Sequence, residues 1–205
     1  IKFIKENAPS VKKYKDNSTR KHKRLSKVYK YLFKFFSQIF KCKFFIHDIG
    51  LTKLETLFLN IKLFQFPFFW IEPEYKQEKI NLEKRKKFFY KEKKKNNFEN
   101  FLRKIIYLTI PKTYLENYEN IKEAVDKSYW PTKSKVILTC RSYNFNEIFK
   151  IFTAKMVGDG SKYLILQHGG GMGLEEYGMD TSLELPHKFL SWGWKNKTKK
   201  VLPFN

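Results

Sequence analysis

The sequence predicts an α/β protein built on a Rossmann-like parallel sheet with flanking helices. Two β-rich apolar runs, Lys135–Thr139 and Tyr163–Leu166, enclose a segment whose apolar residues recur at helical spacing. A strand, a helix and a second strand in so short a stretch form a βαβ unit, whose strands run parallel through a right-handed crossover. Sheets of this class bind ligands at the carboxyl ends of their strands.

The segments before this unit show mainly helical periodicity. Phe44–Ile46 is predicted as a short strand, and Pro67, Pro111 and Pro131 mark breaks in the pattern. Helices are predicted over 27–41, Leu51–Phe64, Phe98–Ile110 (a helix or a buried segment) and Tyr114–Lys127.

The stretch 27–41 has one apolar and one lysine-rich face. Its apolar stripe consists of Val28, Leu32, Phe35, Phe36 and Ile39. One interpretation is a core helix with a solvated lysine face. The other is a basic amphipathic helix that makes peripheral contact with an anionic membrane surface.

Local signals place the ends of the helix inside the βαβ unit. Asn144, followed three residues later by Glu147, has the form of a capping box and predicts the helix start. Gly158-Asp159-Gly160 predicts its end, because glycine favours the left-handed conformation that closes helices. Phe189–Trp192 is predicted as one more short strand, followed by a polar lysine stretch.

Three regions are expected along the chain. Residues 1–26 form a polar, lysine-rich entry segment, residues 27–190 a partial N-terminal α/β domain, and residues 191–205 the start of an interdomain connection. Because the sequence begins at Ile1 and ends at Asn205 without a terminal helix, we expect a fragment of a longer protein, with a second domain missing.

The net charge of +22 has a composition that argues against nucleic-acid binding. Only five of the 42 basic residues are arginine, the side chain that contacts bases and phosphates bidentately. The abundance of Lys, Asn, Ile, Phe and Tyr, with only three alanines, is typical of an AT-rich genome. We therefore favour a solvated basic surface. The alternatives left open are a basic module that binds RNA or an anionic membrane, and a non-catalytic remnant.

Cysteine use and hydropathy favour a cytoplasmic protein. Cys42 and Cys140 have neither metal-site spacing nor a disulfide framework, which fits a reducing compartment. No uninterrupted apolar run approaches the ~20 residues needed to span a bilayer.

The candidate site is the loop that follows the second strand of the βαβ unit. It reads Gln167-His168-Gly169-Gly170-Gly171-Met172-Gly173 and lacks both the Walker A ending and the Rossmann spacing. Backbone N–H groups of Gly169, Gly170, Gly171 and Gly173 can converge on a phosphate. A tight turn without a ligand is the alternative.

Polar side chains around this loop supply the candidate chemistry. His168 is the candidate general base or phosphate contact, and Arg141, after the preceding strand, is a candidate phosphate partner. Gln167 either contacts substrate or ends its strand, and Glu175 and Glu176 are either acid/base groups or solvated loop residues. No metal site is predicted, because His47, Asp48, Glu184 and His187 lack ligand spacing.

Several short motifs, taken in order, resemble a known family. They are Leu63-Phe-Gln-Phe-Pro67, Ile110-Pro-Lys-Thr-Tyr-Leu-Glu116, Lys135–Thr139, Phe149-Lys-Ile-Phe-Thr-Ala154, Gln167-His-Gly-Gly-Gly171 and Trp192-Gly-Trp194. Together they resemble the transferases of bacterial surface-polysaccharide biosynthesis (O-antigen or lipopolysaccharide type), whose architecture is similar to glycosyltransferase-B enzymes. Met172 replaces a tyrosine of that pattern, and the acidic and histidine cluster before Trp192 is reduced to Glu184 and His187.

The resemblance implies a two-domain enzyme of which this chain is the acceptor-side half. The reaction would transfer a sugar from a nucleotide-activated donor to a surface glycan, without a metal or other cofactor. The second α/β domain would supply most nucleotide contacts. We expect the protein in the cytoplasm, and peripheral contact with the inner face of the membrane through the helix 27–41 is an open alternative.

Overall fold

In the part of the chain that the structure describes, five strands form one sheet in which every neighbouring pair is parallel. The computed structural model describes residues 32, 35, 36, 40, 42–68, 70–87, 97–169, 181–195 and 199–204. The elements, in chain order, are β1 (Phe44–His47), α1 (Lys53–Lys62), α2 (Leu82–Lys86), α3 (Asn97–Thr109), α4 (Lys112–Leu115), α5 (Tyr118–Asp126), β2 (Val136–Thr139), α6 (Ser142–Phe145), α7 (Glu147–Gly158), β3 (Lys162–Leu166), α8 (Thr181–Glu184), β4 (Lys188–Ser191) and β5 (Val201–Pro203).

The strands lie side by side in the order in which they occur along the chain. Phe45 pairs with Ile137 in β2, and Ile137 with Tyr163 in β3. This confirms the α/β class and the parallel βαβ unit. The order of the described strands does not reverse, so these strands contain no topological switch point. The expected place for a ligand is therefore the edge at which the strands have their carboxyl ends.

One face of the sheet carries the hydrophobic core. Alternate side chains of β1, β2, β3 and β4 point to this face because strand side chains alternate with a period of two. They are fully or almost fully buried: Phe45, His47, Ile137, Thr139, Tyr163, Ile165 and Phe189. Helices α5 and α7 cover them with Ile121, Val125, Phe149, Phe152 and Met156. The ring centroids of Phe45 and Phe152 lie 4.6 Å apart, which joins the first strand to the crossover helix.

The start of α7 differs from the prediction. Asn146 is the N-cap, and its side-chain oxygen accepts from the Phe149 N–H at 2.9 Å. Asn144 lies inside the short helix α6, so the capping box predicted for Asn144 and Glu147 is wrong. The correct N-cap lies two residues later because α6 takes up the first turn after β2. The predicted end is confirmed, since Asp159 caps α7 and Gly160 adopts a φ of +97°.

The predicted helix Tyr114–Lys127 is divided into α4 and α5. Glu116 and Asn117 lie at the break, and both are buried. Glu116 pairs with the Arg85 guanidinium at 2.6 Å, and the Asn117 side chain accepts from the Glu78 N–H at 2.7 Å. Two buried polar contacts to the preceding segment therefore fix the chain where one continuous helix was expected.

Helix α1 is confirmed, with a complete capping box between Thr52 and Glu55. Its predicted apolar stripe is largely exposed, and the exposed members include Leu54, Phe58 and Ile61. The buried residue of the helix is Asn60, which accepts from the Gln65 side chain at 2.6 Å. Polar contacts therefore fix the orientation of α1.

Gln65 pairs with the outer edge of β1. Its Oε1 accepts from the Phe44 N–H at 2.9 Å, and its Nε2 donates to the Phe44 carbonyl at 2.9 Å. The Gln65 amide therefore makes the two backbone hydrogen bonds at Phe44 that a neighbouring strand would otherwise make. The glutamine of the Leu63–Pro67 motif thus has a structural role at the sheet edge.

The sheet extends into the stretch expected to begin an interdomain connection. Val201 pairs with Phe189, and Pro203 with Ser191, so β5 continues the sheet beyond β4. Most of the predicted helix 27–41 lies outside the described residues. Of its described members, Phe36 and Phe40 stack on Phe66 at centroid distances of 5.0 and 5.3 Å. None of the helices in the described part of the chain has the length and hydropathy of a membrane-spanning segment.

Candidate functional site at the carboxyl edge of the sheet

The ends of four strands bring the candidate residues to one edge. Asp48 follows β1, Arg141 lies just beyond β2, Gln167 and His168 follow β3, and Trp192 follows β4. Because the strands are parallel, all four ends share the edge where α/β proteins bind ligands. The edge has two parts: the β3–β4 part around Gln167, and the β1–β2 part around His47.

Gln167 organises the β3–β4 part. Its Oε1 accepts from the Trp192 N–H at 2.7 Å and from the Trp194 indole N–H at 2.8 Å, while its Nε2 donates to the Gly169 carbonyl at 2.9 Å. The side chain is only 4% exposed. The structure therefore links the glutamine of the glycine loop to the Trp-Gly-Trp motif, and ligand contact by Gln167 stays a prediction.

His168 and Gly169 continue from Gln167 to the surface. Both are exposed, and His168 is thus accessible from solvent at the carboxyl end of β3. Gly169 has a φ of +89°, a left-handed conformation that glycine adopts readily, and an added Cβ would meet no atom within 4 Å. Glycine is therefore favoured at position 169 by its backbone conformation and not by a lack of space for a side chain. The other predicted site residues, namely Gly170, Gly171, Gly173, Glu175 and Glu176, lie outside the described residues.

Arg141 lies at the carboxyl edge of the sheet, where it forms an ion pair across the ends of β1 and β2. Its Nη2 is 2.5 Å from Oδ1 of Asp48. Asp48 has a φ of +49°, and its carbonyl accepts from the Cys140 N–H at 3.2 Å. Both residues of the ion pair line a cavity at this edge.

His47 lies at the base of the β1–β2 part. Its ring packs against Phe45, Trp130 and Phe149, with centroids 5.9, 5.3 and 5.2 Å away, and Nδ1 is 2.8 Å from Oγ of Ser142. Burial lowers the pKa of His47 to about 4, an effect opposed by the negative charge of Asp48. The ring is therefore neutral at pH 7.

Two adjoining cavities open onto these residues. The larger, of about 960 Å³, lies between β1, the start of α1 and the segment from Phe68 to Glu72. The smaller, of about 540 Å³, lies between that segment and the start of α7. Both are lined by His47, Asp48 and Glu72, so we call them together the β1–β2 cleft.

The sequence did not identify most of this cleft. The sequence offers His47 and Asp48 only as metal ligands that lack the required spacing, and it predicts no site role for Glu72 or Ser142. Within the described ranges, no group of three His, Cys, Asp or Glu side chains could hold a metal ion. The signal that could have found the cleft is the polar pair His47-Asp48 directly after a predicted strand, because polar residues at strand ends converge at this edge.

The two cysteines are buried and free, and Cys140 lies directly under the site. Its thiol donates to the Gln167 carbonyl at 3.6 Å, which joins the ends of β2 and β3. Burial raises the pKa of Cys140, and the pKa of Cys42 is raised to about 12 by the same cause. Both side chains are therefore unreactive thiols at neutral pH.

The fold and the site define a parallel-sheet α/β protein with a polar cleft at the carboxyl edge of its strands. A family model described as LIC12162 family transferase matches residues 1–205, and the chain belongs to this family. No curated protein and no solved structure matches the chain. The family confirms the transferase class expected from the motifs.

Proposed function

We propose that this chain is the acceptor-side α/β domain of a glycosyltransferase-like enzyme. In this proposal, the enzyme transfers a sugar from a nucleotide-activated donor to a bacterial surface glycan. Membership of a transferase family supports the reaction class, and the motif order supports the glycan setting. The proposed place of action is the cytoplasmic side of the membrane, where nucleotide-activated sugars are made.

The observation that carries the proposal is the junction at Gln167. Three hydrogen bonds from one buried side chain hold the Trp192–Trp194 stretch against the first residues of the glycine loop. Positioning the reactants lowers the barrier to their reaction, so a loop that binds the phosphates works best from a fixed place. Gln167 would supply the rigid support for that loop.

His168 is proposed to act on the reacting groups. From the exposed end of β3, its imidazole can accept the proton of an acceptor hydroxyl or donate a hydrogen bond to a phosphate oxygen. The backbone of Gly169, Gly170, Gly171 and Gly173 is proposed to hold the phosphates. Glu175 and Glu176 are further candidates for acid/base chemistry.

Arg141 is proposed as a second phosphate contact, although it already has a partner in this structure. Its guanidinium already pairs with Asp48 at 2.5 Å, so a phosphate must share the arginine or displace the aspartate. Arginine has five N–H donors, which allows a bidentate phosphate contact on the side that Asp48 leaves open.

The test is sugar transfer by the natural full-length protein carrying His168→Ala. Release of free nucleotide from UDP-, GDP- and CMP-sugars is measured with a surface-glycan acceptor. We expect loss of at least about a hundredfold in turnover, the usual contribution of general acid–base catalysis. Lys162→Ala, at the opposite end of β3, is the control and should keep wild-type turnover. Wild-type turnover in His168→Ala would exclude the proposed role.

A further inference from the structure

The β1–β2 cleft has no excess of positive charge, although the chain as a whole has a large one. In a protein of net charge +22, the larger cavity is lined by two carboxylates, Asp48 and Glu72, and two cations, Lys53 and Arg141. Arg141 is already paired with Asp48. The smaller cavity adds Glu147, and among the described residues no lysine or arginine lines it. Three carboxylates and two cations therefore line the cleft, a balance that favours an uncharged ligand inside it.

A gap between two polar groups in the cleft fits one hydroxyl. Nε2 of His47 and Oε1 of Glu72 are 3.9 Å apart, too far for a direct hydrogen bond. An oxygen placed between them can lie about 2.8 Å from both, a normal hydrogen-bond length. A hydroxyl there can donate to the carboxylate and accept from the imidazole.

The partners of His47 and Glu72 suit this arrangement. When Ser142 donates to Nδ1 of His47, the neutral ring carries its proton on Nε2, facing the gap. The Asn146 side chain donates a hydrogen bond to Oε1 of Glu72, the same oxygen that faces His47. A carboxylate oxygen has two lone pairs, so Oε1 can still accept a hydrogen bond from the hydroxyl. Both groups are therefore fixed before a ligand arrives, which reduces the entropy cost of binding.

An apolar wall completes the cleft. The larger cavity has an apolar wall formed by Phe68, Trp70 and Ile71. Trp70 packs on Phe45, with their ring centroids 5.0 Å apart, and this contact holds it in place. Fixed aromatic side chains with a few converging polar groups are typical of small-molecule sites. The cleft therefore suits a ligand that has hydroxyls on one side and C–H groups on the other. The carboxylate, imidazole and amide groups can bind the hydroxyls, and the aromatic wall can pack against the C–H groups.

From these features we infer that the β1–β2 cleft binds an uncharged saccharide unit through a hydroxyl placed between His47 and Glu72. This inference rests on the proposed function only where it takes that saccharide to be the acceptor. The edge of the sheet then has a division of roles: the cleft takes the neutral sugar, and the glycine loop after β3 takes the phosphates.

The test measures saccharide binding without transfer. Glucose, galactose, rhamnose and N-acetylglucosamine are titrated separately into the natural full-length protein, and binding is followed by saturation-transfer NMR. We expect at least one to bind with a Kd of about 1 mM. Glu72→Gln keeps an oxygen for Asn146 but loses the charge, so it should weaken binding about tenfold, as expected for a hydrogen bond to a charged group. Glu74→Gln, two residues away and outside the cleft, is the matched control and should bind as the wild type does.

Three results would overturn the inference: no binding of any of the four sugars, equal binding by Glu72→Gln and wild type, or equal losses in the Glu72 and Glu74 variants. Since binding is read without transfer, the result is independent of the His168→Ala assay. Weak binding by Glu72→Gln with normal turnover in His168→Ala would support the cleft and reject the role of His168.

Discussion

At the scale of single residues, Gln167 shows how one side chain can serve two motifs. Its amide oxygen accepts from both the Trp192 backbone and the Trp194 indole, and its amide nitrogen donates to Gly169. The Gln-His-Gly and Trp-Gly-Trp stretches therefore depend on each other, although more than twenty positions separate them in the sequence.

Replacing Gln167 by leucine should destabilise the fold. The substitution keeps the approximate size of the side chain but leaves the Trp192 N–H and the Trp194 indole N–H, both partly buried, without their acceptor. Each unsatisfied group costs about 1–3 kcal/mol, so we expect a loss of about 2–4 kcal/mol in the free energy of unfolding. Urea denaturation measures it. Gln77→Leu, at an exposed position, is the control and should change stability by less than about 0.5 kcal/mol. Equal stability of the two variants would contradict the role of Gln167 as the junction.

At the scale of elements, a buried ion pair joins α2 to the turn between α4 and α5. Arg85 donates to both carboxylate oxygens of Glu116, at 2.6 and 2.8 Å, and to the carbonyls of Tyr107 and Leu108 at 3.1 Å. Both charged side chains are 2% exposed. One guanidinium therefore holds three helical elements together.

This pair gives the protein a defined acid sensitivity. The hydrogen bonds from Arg85 lower the pKa of Glu116 to about 2, against about 4.3 for an unfolded glutamate. A lowered carboxyl pKa contributes stability that is complete above the unfolded value and is lost as the pH falls through the folded value. We therefore expect the melting temperature to fall between about pH 4.3 and pH 2, with a shallower fall in Glu116→Gln.

The same variant should also be less stable at pH 7. Glu116→Gln leaves the Arg85 charge buried without its partner, a change that costs about 3–5 kcal/mol. Glu123→Gln, which breaks the exposed pair with Lys127, is the matched control and should cost less than about 1 kcal/mol. Calorimetry at several pH values measures both effects. A Glu116→Gln variant with the acid slope of the wild type would show that other groups cause the transition.

The elements that could be predicted are those whose signal is local. The strands β2 and β3 and helix α7 follow from apolar spacing and glycine positions within one short stretch. The predicted cap at Asn144 is wrong because α6, a single turn, has no periodicity of its own. Glu72 could not be predicted as a site residue, because it lies in an extended segment without a repeating pattern. Tertiary packing of Trp70 on Phe45 brings it to the cleft.

At the scale of the whole molecule, the excess of basic over acidic residues, 42 against 20, must be carried mainly by the surface. Like charges repel, and a compact state brings them closer than an unfolded chain does. Salt shortens the range of this repulsion to about 10 Å at 0.1 M. Salt also weakens the exposed ion pairs, but each of them contributes little to the free energy of unfolding.

We therefore expect salt to stabilise the protein. Raising KCl from about 30 mM to about 300 mM should raise the melting temperature by a few degrees, because the screened repulsion outweighs the weakened pairs. Differential scanning fluorimetry measures the change, and a parallel series in NaCl at the same ionic strengths is the control for effects specific to one salt. A melting temperature that falls with KCl would mean that attractive pairs dominate the surface.

The side chain of Gln65 determines where the sheet stops. A parallel sheet has free N–H and C=O groups along its outer strand, and such an edge can recruit a strand from another molecule. Here one amide group occupies the free donor and acceptor of Phe44 and so takes the place of a sixth strand at that residue. Among the described strands, the outer edge of β1 is thus closed at Phe44 by a single glutamine, which disfavours pairing with a strand of another molecule at that position.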